Sequence, residues 1–157
     1  MRVFIETTIP SYLTAHPSKD ILQLARQQVT REWWDNHRQA HALFTSQVVL
    51  DEAAKGDARQ AEERLVILAH LTLIESLSRA NELAQQILEA GILPRFAVQD
   101  AAIIALATVH RMDILLSWNC RHLANAAIQA PLRRLAAGQG FELPVICTPD
   151  ELLEDIG

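Results

Sequence analysis

The chain has 157 residues, 50% of them hydrophobic and 21% charged, with a formal net charge of -5 at pH 7. That length supports one full hydrophobic core but not two comfortable domains, and the composition is that of an ordinary globular protein, which argues against disorder. The negative balance speaks against broad non-specific attraction to nucleic acid while leaving room for a local basic patch.

A single domain over residues 1–157 is therefore expected. Cys120 and Cys147 do not make a disulfide framework, no basic segment followed by an apolar one opens the chain, and no apolar run reaches about 18 residues. The expectation is a soluble, cytoplasmic protein without a membrane association. Of the 14 basic residues only Lys19 and Lys55 are lysines. Arginine's planar fork suits bidentate phosphate binding, and a GC-rich genome would produce the same bias.

In chain order, RVFIE reads as a short buried strand and IPSYL as a turn in which Pro10 forbids a continuing ladder. From Ser18, a candidate cap with Asp20 in the first turn, a long segment to Ala40 has helical spacing and room for a break. HALFTSQVV supplies a second strand. A short helix is predicted from Leu50 to about Lys55, stopped by Gly56, and another after Asp57. LTLIE is a third strand, and SLSRANELAQQILEAGIL a helix capped by Ser78 and closed at Gly91. AVQDAAIIALATV is helical and ILLSW a buried strand. CRHLANAAIQAPLRRLAAGQ is helical but interrupted at Pro131. LPVICTPDELLEDI ends the chain as a strand and a helix with Thr148 as cap, proline at the first helical position and Glu151 at the reciprocal capping position. Short apolar strands alternating with helices predict an α/β fold: three α/β/α layers around a central parallel sheet, Rossmann-like in outline.

Such sheets bind ligands outside the carboxyl ends of their strands. Glu6 ends the first strand, Asp51 and Glu52 are read as beginning the helix after the second, Asp100 begins the helix before the fourth, and Asn119 lies just past ILLSW. Four segments thus deliver oxygen donors to one rim. Oxygen ligation suits a hard cation, Mg²⁺ or Mn²⁺, able to activate water and neutralise charge on a phosphodiester. Each acid alone has an ordinary alternative, since acids in a first helical turn are favoured by the helix dipole without any ligand.

Read together, IETTIPSYL, VVLDEAAKG, QDAAIIALATVHRMDILLSWN and VICTPDEL resemble, over practically the whole chain, the PIN domain as found in the VapC toxins of toxin–antitoxin pairs. The resemblance implies a Mg²⁺- or Mn²⁺-dependent endoribonuclease, inhibited by a cognate VapB-like antitoxin and commonly a homodimer. It implies catalytic and metal-holding roles for Glu6, Glu52, Asp100 and Asn119, with Glu6 and Asn119 standing where the family commonly has Asp. Glu6 keeps the charge one methylene further out, and Asn119 keeps an oxygen but loses a charge. Thr7 and Ser117 match the hydroxyl positions and would orient water.

Around this rim, Trp118 is a candidate for stacking on a base and Arg121 for a phosphate contact, as are Arg95, Arg111, Arg133 and Arg134. His122 is read either as a neighbour of the rim, where it is a candidate phosphate contact, or as the cap of a helix end, and not as a catalytic base. Trp33 and Trp34, adjacent on a helix and facing about 100° apart, make one of them a candidate anchor for self-association or for the antitoxin. The alternative to an RNA-cleaving toxin is a catalytically weak or inactive PIN-like module that binds nucleic acid or a protein. Another phosphatase or nuclease on a Rossmann-like sheet is disfavoured by the lack of a Gly-x-Gly or Asp-x-Asp segment.

Overall fold

A computed structural model of the protein describes residues 1–153. Its five strands are β1 (Arg2–Ile5), β2 (Ala42–Ser46), β3 (Thr72–Ile74), β4 (Ile114–Leu116) and β5 (Val145–Cys147). Between them run α1 (Thr8–Thr14), α2 (Ile21–Asn36), α3 (Gln47–Ala53), α4 (Ala58–Leu68), α5 (Ser78–Glu89), α6 (Val98–Val109), α7 (Ala126–Gly138) and α8 (Pro149–Leu153). The fold is the expected three-layer α/β arrangement, a central parallel sheet flanked by helices, PIN-like in architecture. The closing helix was read to run past Leu153, and that part lies outside the described residues.

All four strand pairings are parallel, in the order β3-β2-β1-β4-β5. The chain builds outward from β1 on one side through β2 to β3, then crosses to the other side for β4 and β5. The direction therefore switches between β1 and β4, and in open parallel sheets the carboxyl ends of the strands at such a switch are where ligands bind. The register places Ile5 opposite Leu116, so the residues that follow each strand, Glu6 and Ser117, emerge side by side.

A parallel sheet covered on both faces needs strands that are apolar throughout. Val3, Phe4 and Ile5 in β1 and Leu115 and Leu116 in β4 are fully buried. Helix α6 is apolar nearly all round, with Ile103 to Thr108 buried, as a helix enclosed by its neighbours must be. It packs on α5, while α1 packs on α2 and α4. No helix among the described residues is long and apolar enough to cross a membrane.

Several local expectations are corrected. The IPSYL segment is helix α1, not a turn: Thr7 is its N-cap and Pro10 its third residue, where the backbone N–H has no intrahelical partner to lose. Asp20, not Ser18, caps α2, its carboxylate accepting from Gln23 N at 2.9 Å; Ser18 Oγ supports it by accepting from Asp20 N. The long helical segment, by contrast, takes the break for which it had room, after Asn36, and passes into a short 3-10 turn at Arg38–Ala40. Helix α3 starts at Gln47, directly after β2, so Asp51 and Glu52 lie in its last turn rather than at its beginning. Ser78 is the first residue of α5 rather than its cap. Pro131 does not interrupt α7, which runs on through it.

Trp33, a candidate interface anchor, is fully buried within the chain and stacks on His41 at 5.9 Å and 15°. Trp34 is partly exposed beneath the Arg38 guanidinium, 4.9 Å from its ring. The two thiols are also unlike. Cys147 is buried at the end of β5, and burial first, then the Glu151 and Asp150 carboxylates, push it up to about 12; Cys120 is exposed. A thiol reagent at pH 8 is expected to modify Cys120 in the folded protein and Cys147 only once the chain is denatured, read as stepwise mass gain. Equal rates at both would contradict the burial of Cys147.

Candidate active site at the carboxyl ends of β1 and β4

Glu6 leaves the end of β1 into the interior, 3% exposed. Its Oε2 accepts the hydroxyls of Thr8 and Ser117, each at 2.6 Å, and its Oε1 accepts the Thr8 backbone N–H at 3.2 Å. Each hydroxyl has a fixed polarity, because its oxygen already receives a backbone N–H from the end of β4: Trp118 N to Thr8 Oγ1 at 2.8 Å and Asn119 N to Ser117 Oγ at 2.9 Å. Their protons point at the carboxylate. Burial nevertheless outweighs these three donors, and with the negative charge of Glu52 it pushes the Glu6 carboxyl up to about 7.

Thr7 continues the arc. Its Oγ1 donates to Glu52 Oε2 at 2.9 Å, tying the last turn of α3 to the start of α1. Asp51, the neighbouring acid, is exposed and bonded by Gln47 Nε2 at 2.8 Å, away from this arc. On the other side, Asp100 sits in the first turn of α6 with its Oδ2 2.9 Å from His122 Nδ1 and its Oδ1 3.4 Å from Asn119 Nδ2. An ionised carboxylate only accepts, so Nδ1 carries the hydrogen of that contact.

Asn119 has a further task. Its Oδ1 accepts the backbone N–H groups of Arg121 at 3.2 Å and His122 at 3.0 Å, which turns the chain after β4 and sets His122 against Asp100. An aspartate could accept the same two bonds but would face Asp100 with a like charge; the amide offers it a donor instead. This is a physical reason for Asn at 119, and it leaves the amide oxygen occupied within the loop.

Hydrogen bonds therefore connect Glu6 through Ser117 and Asn119 to Asp100 and His122, with Glu52 joined through Thr7, the residue after Glu6. No group of three His, Cys, Asp or Glu gathers as a metal site among the described residues. The chemistry of the donor set still fits a hard divalent cation: the donors are oxygens, and the two influences raising the Glu6 carboxyl, burial and the charge of Glu52, are those a cation relieves.

The outer residues need sorting. Trp118, expected to offer its face to a base, is 8% exposed; its indole N–H donates to Thr30 Oγ1 at 2.7 Å, and Tyr12 and the Arg26 guanidinium lie against its ring. It is core. Arg121 is exposed beside the site, and Arg133 and Arg134 are exposed on α7. Arg111 lies before β4, at the amino end of the sheet, and so stands away from the rim. The sequence reading missed Thr8 as the holder of Glu6, although a hydroxyl two residues after an acid is a familiar local pairing. It also missed the Asp100–His122 contact, for which the Asn-x-x-His spacing was the only trace.

No protein-family model and no curated protein matches the sequence. Among solved structures, a chain of the crystal structure of VapBC2 from Rickettsia felis, bound to a DNA fragment from their promoter, is similar over 94% of this chain and 98% of that one. The TM-score is 0.59 and the identity 14%, so the likeness is one of fold and links this chain, distantly, to the fold of a toxin–antitoxin assembly.

Proposed function

We propose that this protein is a Mg²⁺- or Mn²⁺-dependent endoribonuclease of the VapC toxin kind, held in check in the cytoplasm by a VapB-like antitoxin. The observation that carries the reading is the arc from Glu52 to His122, joined by hydrogen bonds and by the Glu6–Thr7 peptide and drawn from four chain segments, at the switch in strand order between β1 and β4. A bound divalent ion supplies the Lewis acid that activates water and neutralises charge on a scissile phosphodiester. Glu6, Glu52 and Asp100 provide the negative charge that draws it, and Asn119 and His122 fix the orientation of the Asp100 carboxylate. Thr7 and Ser117 hold the flanking carboxylates, and Arg121 is free to hold a phosphate of the RNA. Self-association and antitoxin binding fall to exposed apolar positions such as Ile21 and Leu22 on α2, since Trp33 is used up inside the fold.

Purified protein incubated with a mixed structured-RNA pool is expected to cut in Mg²⁺ or Mn²⁺ and not in EDTA, leaving 5′-phosphate and 3′-hydroxyl ends. Asp100→Asn, folded by circular dichroism, should lose about a hundredfold in rate. Cleavage indifferent to both chelation and D100N overturns the mechanism. The second reading, a PIN-like module that binds without cutting, is favoured by the commitment of the Asn119 oxygen and both Asp100 oxygens to partners within the chain. Metal binding without cleavage across the pool would select it.

A further inference from the structure

Phe96, in the segment between α5 and α6, is 79% exposed, and Val98, which opens α6, is 56% exposed. A phenyl ring left in water forgoes the burial that usually stabilises an aromatic side chain. Its centroid stands 5.9 Å from the His122 imidazole at 61°, edge to face, and that imidazole rests on Asp100. Arg95 precedes the ring in sequence and Arg121 precedes His122; both are exposed, and neither forms a salt bridge among the described residues. Two arginines without a salt bridge among the described residues thus neighbour in sequence the two rings, Phe96 and His122, that meet at the edge of the carboxylate site, and add positive charge to that end of it.

We infer that Phe96 is the stacking platform for an unpaired base of the RNA, with Arg95 and Arg121 holding the adjoining phosphates. The inference rests on the ribonuclease reading and gives its substrate class: single-stranded or loop RNA, whose bases can splay out onto a ring, rather than a continuous duplex. The role that Trp118 cannot fill, being covered by Tyr12 and Arg26, falls to a residue one helix away. The free charges favour RNA over a protein partner, since two unpaired cations are complementary to a phosphate backbone.

The test separates binding from cutting. Fluorescence anisotropy in EDTA at low salt is run with a labelled, unstructured RNA oligonucleotide and a blunt RNA duplex of equal length, using the full chain. Phe96→Ala is expected to weaken binding of the single strand about tenfold and to leave the duplex unchanged. Phe96→Trp should restore affinity to within about twofold, and Val66→Ala, an exposed apolar residue on α4, should have no effect. A 2-aminopurine in the strand should be quenched by the parent and by Phe96→Trp but not by Phe96→Ala. Equal single-strand affinity for the parent and Phe96→Ala, or no measurable binding by the parent, overturns the inference. So does a loss of self-association in Phe96→Ala, by sedimentation, with RNA affinity intact, which would assign the ring to a contact between copies. Binding that depends on Phe96 without metal-dependent cleavage would remove the nuclease and keep the platform; cleavage with no dependence on Phe96 would do the reverse.

Discussion

Between about pH 4.5 and pH 7, the metal-free protein is expected to lose about 3 kcal/mol of stability through Glu6 alone as pH rises. The Glu6 carboxyl is pushed up to about 7 from an ordinary 4.5, chiefly by burial. Below 4.5 both the folded and unfolded chains hold the proton, and the contribution is fully present. In the window between, the unfolded chain has released it while the folded one keeps it, so the unfolded state gains with each step of pH, and the loss is complete above 7. Other carboxylates add slopes of their own. Glu6→Gln isolates the effect, because its side chain is neutral throughout. Its amide oxygen can take the Thr8 and Ser117 hydroxyls, while its amide nitrogen loses the Thr8 N–H, a penalty independent of pH. Urea unfolding of both proteins in EDTA from pH 4.5 to 8 should show the variant gaining on the parent by about 3 kcal/mol across the window. Parallel curves would mean that the Glu6 carboxyl titrates alike in the folded and unfolded chains across this range.

The second large effect belongs to Trp118. Replacing it with alanine is expected to cost about 3–5 kcal/mol, in the range for deleting a buried aromatic side chain, and to lower the melting temperature by about 10 °C. The side chain spans the gap between the end of β4 and α2: its indole N–H reaches Thr30, and Arg26 lies 5.2 Å from its ring. Trp118→Phe should recover most of the packing but not the bond to Thr30, and so fall between. Were Trp118 a surface platform for bases, Trp118→Ala would melt with the parent and lose RNA instead. A scanning-calorimetry comparison decides between the two.

Much of the architecture could be read from apolar runs. VFI and ILL are continuous rather than alternating, and only a sheet covered on both faces tolerates that. Asp100 could also be placed in the first turn of its helix, because the Gln99–Asp100 pair immediately precedes an all-apolar run. What periodicity does not reveal is which neighbour covers a face. Whether Trp118 is core or mouth depends on Thr30, 88 residues away in sequence. Pro10 shows a different limit. It was read as the end of a ladder, and it does follow one, but the same residue is tolerated in the first turn of a helix, and Thr7 provides that start. Glu52 was placed at the wrong end of its helix because β2 passes into α3 without a punctuating loop. Asp100 and His122 meet only through the turn that Asn119 makes, a device invisible until both helix and strand are in place.

The placement of β1 also bears on how the protein comes into being on the ribosome. The strand made first ends in the middle of the sheet, flanked by β2 and by β4, and the Glu6 carboxylate receives the Ser117 hydroxyl from 111 residues further along. So large a sequence separation within the central pairing implies slow, late closure of the sheet. At translation rates of about 5–20 residues per second, roughly five to twenty seconds pass between synthesis of Glu6 and of its distant partner. Through that interval the emerging chain has at most three strands, and a buried-type acid with no completed pocket around it. A nascent chain of this protein thus has an incomplete candidate site until β4 has left the exit tunnel.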